Sequence, residues 1–145
     1  MTPLVGGDQQ GPVTVGLINS ANETQTFEVW VVDDSVEKIG VKDSSGEVGN
    51  LSMTPGLRSF HPEGYDHPPI AVVLPESARH VTTANLTEGS TRELTVEDPP
   101  NNPTVIISVK SDGRIVEIVT ATCDRNLRYV EVTGQDDHAS GAYNC

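Results

Sequence analysis

Hydrophobic and polar positions alternate in short runs along most of this chain, and clusters of Gly, Pro, Asn, Asp and Ser separate the runs. That period of two is the signature of half-buried β-strands, and no stretch carries the 3.6-residue period of an amphipathic helix. Pro12 to Asn19 reads as a first strand with Val13, Val15 and Leu17 on one face. In Thr24 to Asp33, Phe27, Val29 and Val31 alternate with Glu28, Trp30 and Val32; the Val31-Val32 pair lets either face be the buried one. Val36 to Lys42, Ile70 to Leu74, His80 to Leu86 and Arg92 to Val96 follow as strands. The clearest signal is Thr104 to Lys110 and Arg114 to Cys123 flanking Ser111-Asp112-Gly113, because Asp-Gly supplies the positive φ angles of a tight hairpin. Tyr129 to Thr133 is a last strand before a polar tail. Between Asp43 and Pro69 the pattern stops in a segment rich in glycine and proline, and a connection that long is functional or hides short elements.

Eight to nine strands and no helix predict an all-β fold, a two-sheet antiparallel sandwich with immunoglobulin-like or cupredoxin-like topology. At 145 residues the chain is expected to be one domain, residues 12–145, behind a flexible Gly/Gln-rich lead-in at 1–11. No stretch approaches the roughly 20 apolar residues of a membrane-spanning helix. The lead-in also lacks the basic stretch followed by an apolar stretch of a secretory leader, so an exported chain would take its leader, and any lipid anchor, from a longer precursor.

Charge narrows the setting. Acidic residues number 21 against 9 basic ones, for a net charge of −12. Nucleic acid is thereby excluded as a partner, since phosphate neutralisation needs clustered Lys and Arg. Anionic membrane surfaces are disfavoured for the same reason. Repulsion among so many carboxylates reaches about 10 Å in ordinary salt and only about 3 Å in molar salt. A surface this acidic and this poor in lysine therefore suits a concentrated-salt, halophilic milieu, with an ordinary acidic secreted domain as the alternative.

The two cysteines, Cys123 and Cys145, bound the C-terminal segment. A pair that ties a tail back to a strand end reads as a disulfide; two free thiols in a reducing compartment are the alternative. Closing that loop stabilises a fold by roughly 3 kcal/mol on the chain-entropy account, and such bonds persist in oxidising compartments. Three Asn-x-Ser/Thr sequons, at Asn22, Asn50 and Asn85, are glycosylation candidates that agree with export; Pro103 disqualifies Asn102.

Two stretches carry a resemblance. Val13-Thr-Val-Gly-Leu-Ile-Asn19 followed by Asn22-Glu-Thr-Gln-Thr-Phe-Glu-Val29 resembles the opening strands of exported, often lipid-anchored haloarchaeal β-sandwich proteins. The tail from Cys123-Asp124 to Gly141-Ala-Tyr-Asn-Cys145 is similar to the cysteine-bounded C-termini of that group. The resemblance implies fold and location, and brings no activity or site residues with it.

Candidate chemistry gathers in His61-Pro-Glu63-Gly-Tyr65-Asp66-His67. His61, Asp66 and His67 supply Zn²⁺, Cu²⁺ or Ca²⁺ ligand types, and His80 could complete a set; solvated loop histidines are the alternative. A copper electron-transfer site is not expected, because Cys123 has neither His nor Met beside it. Hydrolysis lacks a Gly-x-Ser-x-Gly elbow, and the adjacent pairs Asp33-Asp34 and Asp136-Asp137 read as turn formers. Asp136, Asp137 and His138 lack the spacing of a Ca²⁺ loop. Trp30 is either a cover for the second sheet face or part of a binding patch. The resulting expectation is a non-catalytic extracellular or cell-surface module, with no resident cofactor, that contacts a protein partner or an envelope component. A metal-binding protein using the His-rich loop is the alternative, and a small hydrolase a weaker one.

Overall fold

In the computed structural model, residues 10–62 and 66–145 are described. Among them the chain forms twelve strands. The first six are β1 (Val13–Asn19), β2 (Gln25–Val32), β3 (Lys38–Asp43), β4 (Val48–Ser52), β5 (Gly56–Phe60) and β6 (Pro69–Val73). They are followed by β7 (Arg79–Leu86), β8 (Thr91–Val96), β9 (Thr104–Ser111), β10 (Arg114–Thr122), β11 (Tyr129–Gly134) and β12 (Ala139–Asn144). The fold is an all-β sandwich. One sheet runs β12-β11-β1-β8, a second runs β5-β10-β9-β2-β7, and a small third runs β4-β3-β6. Pairing is antiparallel except between β1 and β11.

The alternation in the sequence explains why the five-stranded sheet lies in the middle. Val13, Val15 and Leu17 of β1 and Val130 and Val132 of β11 pack against Phe27, Val29 and Val31 of β2 and Val105, Ile107 and Val109 of β9. The opposite face of the same sheet offers Val32, Ile106 and Ile118, and the small third sheet covers them with Ile39 and Val41. Strand β9 is therefore apolar on both faces, as its Val105-Ile106-Ile107 run requires. Trp30 packs against this second cluster, so it covers the second face. The open question of which face of β2 is buried resolves to the Phe27, Val29 and Val31 face, with the other face half-covered and only Val32 buried on it.

Nine strands are visible in the hydrophobic pattern; the three that are not are β4, β5 and β12. In β4 only Leu51 is shielded from solvent, so no alternation marks it. β5 is an edge strand paired only with β10. β12, in what reads as a polar tail, is built of small residues that let it lie close to the central sheet: a Cβ at Gly141 would come within 3.1 Å of Val119 Cγ1 and 3.3 Å of Leu57 Cδ1. The disulfide expected between Cys123 and Cys145 is present. It joins the end of β10 to the end of β12 and so ties the edge of one sheet to the other.

The hairpin between β9 and β10 turns at Asp112 (φ 54°) and Gly113 (φ 77°), as its Asp-Gly pair predicts. Asp33 makes its turn by accepting from the Ser35 backbone N–H at 2.9 Å and from its hydroxyl. Gln10, placed in the flexible lead-in by composition, is instead anchored: its side chain donates to Leu127 O at 2.7 Å and accepts from Leu127 N at 3.1 Å. Residues 1–9 lie outside the described part.

Candidate functional site

At one end of the sandwich, four chain segments surround an open cleft of about 440 Å³. They are the β1–β2 turn with Glu23, the stretch after β5 with His61, the β9–β10 hairpin with Arg114, and the β11–β12 turn with Asp136 and Asp137. Each segment is a strand connection, so the sheets fix where its side chains can reach.

Under the cleft lies Glu117, the one charged side chain that is buried among the described residues, 3% exposed. A β-bulge between Ile115 and Glu117 shifts β10 by one residue here. An unpaired buried carboxylate is strongly destabilising, but this one accepts three hydrogen bonds. Ser59 Oγ donates at 2.7 Å, Ala139 N at 3.1 Å and His61 Nδ1 at 3.1 Å. His61 Nδ1 also lies 3.0 Å from Val116 O. Both partners of Nδ1 are acceptors, so this nitrogen carries the proton in either charge state of the ring. Glu117 thus ties β5, β10 and β12 together at the cleft.

The rim is built in the same way. Asp136 accepts from Asn22 N at 2.7 Å and from Asn22 Nδ2 at 3.2 Å, joining the β11–β12 turn to the β1–β2 turn. His138 Nδ1 lies 2.8 Å from Asp137 Oδ1. That hydrogen bond is the main cause holding the Asp137 carboxyl below its usual range, with the charges of His138 and His61 adding to it. The His61 and His138 rings stand edge to face with centroids 6.5 Å apart.

The histidines singled out in the sequence do not all meet here. His61 begins the stretch after β5, whereas His80 lies in β7, at the opposite edge of the five-stranded sheet. Four strand spacings separate those edges, about 19 Å, so His80 does not complete a ligand set with His61. His80 instead contacts Thr83 Oγ1 at 2.9 Å, lies 3.7 Å from Glu28 Oε2, and stands edge to face with Trp30. His67 is near the β3–β4 turn, where Asp43 is held below the usual carboxylate range mainly by its Ser45 hydrogen bond, with the His67 charge adding a smaller share. Asp66 is exposed, and Glu63 and Tyr65 lie outside the described residues. Among the described residues, no three His, Cys, Asp or Glu side chains are grouped to hold a metal ion.

Glu117 is not singled out in the sequence, and His138 is weighed there only beside Asp136 and Asp137, not with His61. Glu117 carries a signal, since it shares a phase with Ile115 and Val119 in a strand whose other residues of that phase are apolar. His138 becomes visible only once the β11–β12 turn is folded beside the end of β5. The sequons are all solvent-exposed, Asn22 in a turn, Asn50 on β4 and Asn85 on β7. Among the described residues, no helix is long and apolar enough to cross a membrane.

No protein family and no curated protein matches the chain. Solved structures similar to it include "Trapped Toxin" (TM-score 0.37, 12% identity) and the human-specific toxin intermedilysin (TM-score 0.38, 8% identity). A disulfide-locked mutant of intermedilysin with human CD59 is also similar (TM-score 0.38, 12% identity). In each case 92% of this chain is covered, against 23%, 23% and 24% of the other chain. The chain thus spans about a quarter of the length of these structures, and a likeness of this degree carries no argument about activity.

Proposed function

We propose that this chain is a non-catalytic module, exported to the cell surface or beyond, that works by contact with a protein or envelope component through the end of the sandwich bearing the His61 cleft. One observation carries the reading. Polar groups at the cleft bind one another across chain segments: Glu117 binds Ser59, His61 and Ala139, and Asp136 binds Asn22. Such bonds hold several strand connections in one fixed arrangement, and a surface ordered before contact loses less entropy on binding. The disulfide supports export, because such bonds persist outside the reducing cytosol, and the surplus of carboxylates suits a saline exterior. Membrane-impermeant labelling of intact cells tests location, and an Arg114→Glu variant tests the contact. The reading expects labelling of the native protein and loss of its co-purifying partner in the variant at unchanged melting temperature; unlabelled protein or undiminished co-purification contradicts it.

A second reading is metal binding at the same cleft, favoured by the His61–His138 pair. Each ring has its Nδ1 against a carboxylate, Glu117 or Asp137, the arrangement that orients imidazoles as ligands. This reading expects added Zn²⁺ or Cu²⁺ to raise the melting temperature, and His138→Ala to remove the rise; an equal rise in both proteins dismisses it.

A further inference from the structure

The outward face of the small third sheet is unlike the rest of the surface. In register across its three strands, Gly40 of β3 lies between Asn50 of β4 and Val73 of β6. Val48, two residues before Asn50, is 53% exposed and Val73 is 44% exposed. A Cβ at Gly40 would come within 3.0 Å of Val48 Cγ1 and 3.1 Å of Val73 Cβ. The two valines therefore close over the buried Gly40 and form an exposed apolar patch, and Asn50 stands one strand spacing from that glycine, about 4.8 Å.

Asn50 is also the best presented of the three sequon asparagines. Asn22 has its side-chain nitrogen engaged by Asp136 at 3.2 Å and its backbone N–H by the same carboxylate. Asn85 accepts from Thr26 Oγ1 at 2.7 Å, and the hydroxyl of its sequon partner Thr87 is bonded to Ser90 at 2.7 Å. Among the described residues no side-chain hydrogen bond holds Asn50, and both it and Ser52 are exposed. Strand β4 is an edge paired only with β3, so its extended backbone is open to a transferase that must grip the Asn-x-Ser segment.

From this geometry we infer that Asn50 is an N-glycosylation site, and that its first sugars lie over the patch closed on Gly40, covering Val48, Val73 and the open edge of β4. The donor is an oligosaccharide linked through phosphate to a polyprenyl lipid. In the transfer, the bond between the sugar's C1 and the phosphate oxygen breaks and a bond from C1 to Asn50 Nδ2 forms. Nδ2 gives one proton to a base of the transferase, and the phosphate leaves on the lipid with no change of oxidation state. A glycan there hides both features that invite self-association, an unpaired strand edge and an exposed apolar patch. The inference rests on the reading of the chain as exported.

The test uses full-length protein purified from its native host, beside Asn50→Gln and Ser52→Ala variants, with peptide mass mapping and the thiol state of Cys123 and Cys145 read on the same samples. The expected result is exported, disulfide-linked protein carrying sugar at Asn50 with Asn22 bare. Ser52→Ala should lose that sugar, and Asn50→Gln should elute in part as larger species. Exported, disulfide-linked protein with Asn50 bare overturns this inference alone. Protein retained in the cytosol with both thiols free overturns the exported reading and this inference with it.

Discussion

Changing Cys145 to Ser leaves Cys123 and the core around it in place but releases β12 from its anchor, and the cost can be worked from the structure. The bond closes a loop of 22 residues' separation. On the chain-entropy account that loop costs the unfolded chain about 11 cal/mol/K, or about 3.4 kcal/mol at 25 °C. A chain of 145 residues unfolds with about 0.30 kcal/mol/K of entropy near its midpoint, so the variant should melt about 11 °C below the parent. The loss should be local as well as global. β12 pairs only with β11 and exposes most of its side chains, so its amides should exchange with solvent well before those of β9, which is buried on both faces. Thermal melting of monomeric protein and peptide-resolved hydrogen exchange read the two effects. A drop under about 3 °C, or β12 protection that survives the substitution, would refute the view that the bond clips one sheet to the other.

Three further outcomes follow from named contacts. Gly134→Ala places a Cβ 2.1 Å from Gln25 Oε1 and 3.2 Å from Phe27 Cζ, both on fully buried side chains, so it should cost about 1–3 kcal/mol; an unchanged urea midpoint would show that Gln25 yields freely. Glu117→Ala orphans the buried Ala139 N–H and removes the acceptor shared by Ser59 and His61, and should destabilise by about 2–4 kcal/mol, with no loss in urea unfolding counting against the network. Tyr129 donates to Glu131 and its pKa is raised to about 12, chiefly by that bond and then by burial and the Glu131 and Glu93 charges. The folded state holds this proton above pH 10 where the unfolded state releases it, so the contribution is complete below pH 10 and lost between about pH 10 and 12. Phenolate absorbance should show one late-titrating tyrosine, and Glu131→Gln should restore it to the ordinary range.

Much of the central layer is legible in the residues themselves. Val105, Ile107 and Val109 with Asp112-Gly113 announce β9, its turn and β10, because a buried strand and a tight turn are both local signals. The disulfide is legible too, since Cys123 directly follows the patterned β10 and Cys145 bounds the other end of the tail behind it. The third sheet is not, because β4 sends only Leu51 toward the core and its pairing with β3 depends on a hairpin at Asp43–Glu47 that no hydrophobic alternation frames. Nor can sequence place β1 beside β11: that parallel pair joins the two ends of the chain, and only the packed core selects it. The same non-locality hides the cleft. His61, Glu117, Asp136 and His138 are spread over two separate strand connections and a bulge, and nothing in their spacing says that they meet. The loop histidines stand out in sequence because they crowd into seven positions, yet His80 ends up one sheet width away.

The most direct test of contact through the cleft end is photo-crosslinking on intact cells, with a crosslinking residue replacing Asp137 at the rim or Glu97, an exposed residue just past β8 at the opposite end of the sandwich. The account predicts one discrete crosslinked species from position 137 and none from position 97. The same product from both positions, or one from position 97 alone, would contradict it.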